Sequence, residues 1–261
     1  MILRTLQWNI GGGKIRKTED DPSDPLAYHN NALDTIIDTI KQFDPDIITL
    51  QESHSSDRDE QAKDIAGFLK LPFSVNDVYA PSHLENGQNL SQAIISRYPL
   101  GQHRFELFLN PHVEIMGPDG KRWISHDKGV TSCIVELPNG ALINITTSHS
   151  VPYRKFDIDA WGEIFSPIRN DMAQKLSSQS PLYLYQGDLN HDDASVRKFL
   201  PPLFENNLKE AILDGPTTPK GRWYDHVLYR GIEHIKSIVA TSVLSDHFPV
   251  YSEFEVPDKV I

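Results

Sequence analysis

Cysteine is almost missing from this 261-residue chain, in which Cys133 stands alone. A single thiol excludes an intramolecular disulfide and any thiolate cage around a metal. Its surroundings, the apolar run from Val130 to Leu137, predict a strand in which the thiol packs as a small hydrophobe. Long apolar runs are missing too: no window approaches ~18 uninterrupted apolar residues, which predicts no transmembrane helix. Met1 leads straight into the strand-like stretch from Ile2 to Leu6 without the features of a secretory leader, so we expect a soluble cytoplasmic protein. No Gly/Ser-rich or charged linker and no short repeat divides the chain. The expectation is therefore one domain over residues 1–261, of a size that buries roughly three quarters of its unfolded surface.

Positive charge is scarce as well. The 25 basic residues against 36 acidic ones leave a formal net charge of -11, a surface poorly suited to a long, sequence-independent grip on a phosphate backbone. That total does not exclude a nucleic acid. Acidic groups that hold a divalent cation contribute to it, and the cation reverses the local sign where a phosphate would sit.

What is present is an irregular mixture of strands and helices. Ile2 to Ile10 alternates and ends at Gly11-Gly12-Gly13, read as a strand running into a loop. Leu33, Ile36, Ile37, Ile40 and Phe43 recur at helical spacing, and Pro45 ends that helix. Asp46 to Leu50 reads as a strand that delivers Gln51 and Glu52, and a second helix is expected from about 57 to 70 with Ser56 as its cap. The stretch 71–89 is rich in turns and suggests no element. Arg104 to Met116 and Arg122 to Leu137 read as long hairpin strands around the turn Pro118 to Gly120. Strands are expected at Gln92 to Ser96, Leu142 to Ser148, His226 to Tyr229, Ile235 to Ala240 and Phe248 to Val256. Helical patterns cover Ile158 to Leu176, where Pro167 must start or kink the helix, then Ala194 to Leu200 and Phe204 to Leu213. The mixture favours a layered α/β sandwich with mixed sheets.

One stretch organises the rest. Leu182 to Tyr185, bounded by Pro181 and Gly187, reads as a strand packed on both faces that empties into Asp188 and Asn190, and strand alternation would aim those two side chains the same way. A carboxylate and an amide leaving a core strand together need a partner. Similar residues end other strands: Asn9, Glu52, His149 and the pair Asp246-His247. Oxygen donors without cysteine suit Mg2+ or Mn2+. A histidine with an aspartate supplies a base and the group that orients it. Together they describe attack on a phosphorus centre, which needs charge neutralisation and an activated water.

Trp8-Asn9-Ile10, Leu50-Gln51-Glu52, Lys128-Gly129-Val130, Ser148-His149, Gly187-Asp188-Leu189-Asn190, Tyr224-Asp225-His226 and Ser245-Asp246-His247-Phe248 follow one another in an order that resembles the endonuclease/exonuclease/phosphatase superfamily, which includes deoxyribonuclease I. Ala93 to Pro99 is similar to its usual central strand and turn. The resemblance implies a four-layer α/β sandwich: two mixed β-sheets packed face to face with helices on both outer faces. It implies a divalent-metal-dependent phosphodiesterase that uses Mg2+, with Mn2+ as the alternative, and a phosphate-ester substrate such as DNA, RNA or a nucleotide. No obligate protein partner is inferred. Glu52 would be the principal metal ligand, with Asn9 and Asp246 completing the shell. Asp188 would align or deprotonate the nucleophile, and Asn190 would bond the phosphate or that nucleophile. His247, oriented by Asp225, would act as general base or stabilise the transition state. His149 would contact the scissile phosphate, as would Lys128, although a lysine beside a hairpin is ordinarily solvated.

The chain departs from the pattern of the abasic-site repair branch in two places. Gly11 stands where that branch carries an aspartate, and His149 to Tyr153 stands near its Tyr-x-Pro-Asn motif. Abasic-site repair is disfavoured, and one dominant metal is expected. His54, His126, His191 and His226 read as neighbours of the motifs, and Trp123, Trp161 and Trp223 as core or rim packing. A lipid or small-molecule phosphoesterase is the alternative on the same fold, and a binding module without turnover is a third reading.

Overall fold

Strands and helices follow one another irregularly, and the computed structural model describes residues 1–117 and 120–258. In chain order the first strands are β1 (Ile2–Asn9), β2 (Lys14–Ile15), β3 (Asn30–Asn31), β4 (Ile47–Ser55), β5 (Phe73–Pro81), β6 (Asn89–Ser96), β7 (Leu100–Leu107) and β8 (Glu114–Met116). They are followed by β9 (Arg122–Ile124), β10 (Gly129–Glu136), β11 (Leu142–His149), β12 (Tyr183–Asp188), β13 (Lys209–Glu210), β14 (Asp225–Arg230), β15 (Glu233–Val239) and β16 (Val250–Glu255). The helices are α1 (Leu33–Phe43), α2 (Gln61–Leu69), α3 (Ser166–Leu176) and the single turn α4 (Val196–Phe199).

Two six-stranded sheets form, in the orders β15-β16-β1-β4-β6-β5 and β13-β14-β12-β11-β10-β7. Both are mixed: β1 pairs with β4, and β11 with β12, in parallel, while the other pairs within these sheets are antiparallel. Side chains hydrogen-bond from one sheet to the other at Gln186 to Thr5, Gln7 to Asp225, Asn9 to Asp188, Gln51 to Thr147 and Gln92 to Thr131. These bonds identify the inner faces. Strand alternation then puts Leu6, Trp8, Ile48 and Leu50 on the outer face of the first sheet, where Ile36, Ile37 and Ile40 of α1 and Ile65 of α2 bury with them in one apolar cluster. On the far side of the second sheet, Tyr183 and Tyr185 pack with Met172 and Leu176 of α3 and with Phe199. The result is the expected four-layer sandwich, with helices outside both sheets. Each fully buried Leu or Ile contributes roughly 1.5–3 kcal/mol, so the two outer interfaces hold the layers together.

Along the inner layer the polarity is graded. The inward residues run Leu3, Thr5, Gln7, Asn9 on β1, then Ile47, Thr49, Gln51 on β4 and Leu184, Gln186, Asp188 on β12. Antiparallel β14 runs the other way, from Asp225 through Val227 to Tyr229. One end of the sandwich is apolar, and polarity grows toward the other, where the charged groups gather.

Several sequence expectations are corrected. α2 starts at Gln61 with Glu60 as its N-cap residue, because Ser56 accepts hydrogen bonds from the Arg58 and Asp59 amides and makes a turn before the helix. The stretch 204–213 is not helical: a 3-10 turn over Pro201–Asn206 stops at Asn207, whose φ of 58° is left-handed, and β13 follows. Two 3-10 turns, Tyr153–Phe156 and Glu163–Phe165, precede α3, which has Pro167 in its first turn. β5 fills part of the unassigned stretch 71–89. The long hairpin is split, with β7 pairing β10 and only the short β8 and β9 facing each other above it. Pro118 and Asp119 of its expected turn lie outside the described residues.

Cys133 sits fully buried on the inner face of β10, and burial pushes its thiol up to about 12. Thiolate is the reactive form. The native protein should therefore resist a disulfide-exchange reagent such as DTNB at mildly alkaline pH and release one thiol equivalent per chain in concentrated guanidinium; rapid labelling of the native state would contradict this packing.

Candidate active site

The site stands at the polar end of the inner layer, where strand register lines up its members. His149 on β11 pairs with Asp188 on β12, and Asp188 pairs with Asp225 on β14. Gly187 permits this spacing, since a Cβ there would lie 2.5 Å from the Ser148 carbonyl.

Asp188 is fully buried. Its Oδ2 accepts from Asn9 Nδ2 at 3.0 Å and lies 3.5 Å from His149 Nε2 and 3.7 Å from His247 Nε2. Its Oδ1 accepts from the Asn190 amide at 2.7 Å. Burial pushes this carboxyl upward, His247 opposes the shift, and Asp225 adds to it. The strand ends at Asp188, and Asn190 adopts a left-handed φ of 48° with its Nδ2 donating to the Ser150 carbonyl at 3.1 Å. Asn190 is thus not placed beside Asp188 by simple strand alternation; a turn places it.

His247 Nδ1 donates to Asp225 Oδ2 at 2.8 Å, and Gln7 Nε2 donates to the other oxygen of Asp225 at 2.7 Å. Burial alone would lower the His247 imidazole, but Asp225 and then Asp188 raise it well above its ordinary value. The backbone carbonyl of His247 accepts from Trp8 Nε1 at 2.9 Å, which gives Trp8 of the first motif a positioning contact.

Glu52 lies inside β4 rather than after it. A bulge in the β4–β6 pairing between Leu50 and Ser53 gives Glu52 a φ of 52°, and bulges of this kind re-aim a side chain. Its Oε1 lies 3.4 Å from Lys128 Nζ and 3.7 Å from His149 Nδ1. Burial would raise this carboxyl, but Lys128 and then His149 hold it well below the usual carboxylate range. Lys128 is 4% exposed, not solvated, because its ammonium is drawn to Glu52 and lies 5.0 Å from the centre of the Tyr79 ring. Burial and then Lys128 depress the His149 imidazole well below its ordinary value, so it is neutral.

Asp246 and Asn9 flank Gly11. The Gly11 amide donates to Asn9 Oδ1 at 3.1 Å, and a Cβ on Gly11 would meet Asp246 Oδ1 at 3.0 Å. An aspartate at position 11 would therefore crowd Asp246. Asp246 Oδ1 is buried without a hydrogen-bond partner among the described residues, and burial raises this carboxyl. An orphaned carboxylate oxygen that feels the Glu52 carboxylate, across Gly11 from the Asn9 amide, fits a hard divalent cation. Asp188, Asp225 and His247 also approach one another within 4.8 Å. There, however, His247 Nδ1 is committed to Asp225 and only Nε2 faces Asp188.

Three contributors escaped the sequence reading. Gln7 holds Asp225, and its amide also reaches Gln51 Oε1 at 2.6 Å; Gln51 in turn donates to Thr147 at 2.7 Å. Alternation from Asn9 along β1 would have put Gln7 on the same face. Tyr79 places its hydroxyl 3.1 Å from His149 Nδ1, and it lay in the unassigned stretch. The neighbours behave as expected: His54 bonds Ser82, and His226 spans Glu210 and the His191 carbonyl.

A mixed double sheet with a buried carboxylate, a His-Asp pair and an orphaned acid at its polar end defines the class. The sequence matches the endonuclease/exonuclease/phosphatase family over residues 6–247, and the protein belongs to that family. Among solved structures, it is similar to an endonuclease/exonuclease/phosphatase from Beutenbergia cavernae DSM 12333, with 16% identity, a TM-score of 0.75, and coverage of 98% of this chain and 72% of that one. The human Nocturnin catalytic domain with bound sulfate is 16% identical with a TM-score of 0.67, over 98% and 94% of the two chains. A mannosyl-6-phosphatase from Bacteroides thetaiotaomicron VPI-5482 is 15% identical with a TM-score of 0.60, over 97% and 99%. No curated protein sequence matches the chain.

Gln7→Leu would leave Asp225 Oδ1 buried without its donor, at a cost of about 1–3 kcal/mol. Urea denaturation should show that loss; an unchanged midpoint would mean that Gln7 does not hold Asp225.

Proposed function

We propose that the protein is a divalent-metal-dependent phosphodiesterase that hydrolyses a phosphate ester of a nucleic acid or nucleotide, with residues 1–261 acting as one catalytic domain. The observation that carries this reading is the surround of Asp188: a fully buried carboxylate whose Oδ2 faces Asn9, His149 and the His247–Asp225 pair.

Glu52, Asn9 and Asp246 would hold Mg2+, or Mn2+ in its place, which is supported by the orphaned Asp246 oxygen. A bound cation of this kind neutralises charge on the nonbridging phosphate oxygens. Asp188 orients the attacking water and accepts its proton as the oxygen closes on phosphorus. A raised carboxyl is the better proton acceptor, so its burial serves the role. His247 is kept protonated by its two carboxylate neighbours and stabilises the negative charge that grows on the phosphoryl oxygens. Asp225 holds its tautomer, and Gln7 holds Asp225. His149, neutral between Tyr79 and Lys128, presents its ring to the scissile phosphate, and Lys128 and Asn190 complete the contacts to that group. The leaving alkoxide departs opposite the water and is reprotonated from solvent.

The alternative, a lipid or small-molecule phosphoesterase, is favoured by the net charge of -11, which gives the surface as a whole little attraction for a long polyanion. A panel of DNA, RNA, nucleotides, phospholipid and phosphomonoesters, assayed with Mg2+ and with Mn2+, separates the readings. Cleavage of a nucleic acid or nucleotide is expected. Turnover of phospholipid or sugar phosphate alone selects the alternative, and no hydrolysis with any divalent ion overturns the enzyme. Asp188→Asn should lower kcat by about 10²–10⁴-fold without unfolding the chain, and chelation by EDTA should abolish turnover until the ion is restored.

A further inference from the structure

Most basic side chains near this site are already paired. Arg154 bonds Asp193 and lies 3.5 Å from Asp192, Arg222 lies 3.6 Å from Asp192, and Lys14 contacts Glu85 at 2.6 Å. Three others depart from that habit. Lys155, in the 3-10 turn after β11, lies with its ammonium 4.6 Å from the centre of the Trp123 ring and has no ion-pair carboxylate among the described residues. His83, in the loop between β5 and β6, stacks on His126, between β9 and β10, with ring centroids 5.4 Å apart and planes at 20°. Neither imidazole has a hydrogen-bond partner among the described residues, whereas His54, His103 and His226 each bond a side chain.

All three lie on the Glu52 side of the site. His83 and Lys155 both act on the Glu52 carboxylate, and His126 feels Glu52, Lys128 and Lys155 together. Lys155 and His83 are exposed and His126 is half-buried, so a ligand can reach them. Three loops far apart in sequence thus bring unpaired nitrogen groups to the rim beside Lys128, on a chain whose acids outnumber its bases. Burial holds both imidazoles below their ordinary value, so they stand beside the Lys155 ammonium as neutral rings whose N–H groups can donate to an incoming anion. Trp123 fixes the lysine by a cation–π contact that leaves its N–H donors available.

We propose that Lys155, His83 and His126 form a second anion subsite, which takes a further phosphate of the substrate next to the scissile one held at Lys128, His149 and Asn190. The proposal deepens the phosphodiesterase reading and rests on it for the position of the scissile phosphate. It names the substrate class as a phosphate ester that carries at least one additional phosphate close by, supplied either by the adjoining nucleotide of a chain or by a small bisphosphate.

Binding and turnover test it separately. Calorimetric titration of the full chain, in EDTA so that nothing is hydrolysed, compares thymidine 3′,5′-bisphosphate with thymidine 5′-monophosphate. The bisphosphate should bind about tenfold more tightly or better, a difference of about 1.4 kcal/mol. Lys155→Ala, and the double variant His83→Ala with His126→Ala, should each erase most of that preference. Equal binding of the two ligands by the native protein, or a preference that survives in both variants, would overturn the subsite. The same variants assayed on a 5′-phosphorylated dinucleotide and on fructose 1,6-bisphosphate identify the source of the second phosphate. The true substrate class is the one whose KM rises more than that of bis(p-nitrophenyl) phosphate, which carries no second anionic group; no selective rise for either also counts against the proposal. Failure of the phosphodiesterase reading looks different: no ester is hydrolysed, while the bisphosphate preference in EDTA can still be measured.

Discussion

The constraint on which the structure depends is that the space between its two sheets is apolar at one end and polar at the other. Buried amides and carboxylates are tolerable only when hydrogen-bonded to one another. The inner layer meets that demand for its side-chain N–H groups with pairs that cross from sheet to sheet, Gln186 with Thr5, Gln7 with Asp225, Asn9 with Asp188, and Gln51 with Thr147, while the Oε1 atoms of Gln7 and Gln186 have no partner among the described residues. Because the polar members all fall toward the same end, satisfying the interior also assembles the site. Shifting one strand by a single residue would turn its whole inner set outward, so the sheet register and the site geometry are one specification.

Charge follows the same plan. Asp188 and Asp225 are both fully buried, and His247 lies between them. Glu52 is matched by Lys128, with His149 beside them. Asp246 is the member left over, with one carboxylate oxygen unpartnered. A buried charge without a counter-charge is costly, which supports the proposed cation near Asp246. At Gly11 the backbone runs close to Asp246, and a side chain there would press on its carboxylate.

Much of this was legible in the sequence. The layered α/β class followed from mixed strand and helix periods, and α1 was read within its bounds because Ile36, Ile37 and Ile40 repeat at helical spacing and are buried. The strand-end acids and histidines marked the candidate site, and the structure brings Asn9, His149, Asp188 and His247 together. Long-range pairing was hidden. Nothing local in Gln7 indicates that its partner is Asp225 on a strand of the other sheet, and the resemblance named Lys128 as a phosphate contact without indicating its burial, which depends on Glu52, brought near by a bulge in β4. Local signals also misled where a turn-forming side chain or a proline pair overrode them, at Ser56 and in the stretch after Pro201.

The central claim is that the cation belongs with Glu52, Asn9 and Asp246 while His247 and Asp225 remain bonded to each other. Anomalous diffraction from a crystal soaked in Mn2+ tests it most directly. The account predicts one strong peak within coordination distance of Glu52 and Asp246, with the His247–Asp225 hydrogen bond intact. A peak seated among Asp188, Asp225 and His247, with that hydrogen bond broken, would contradict it.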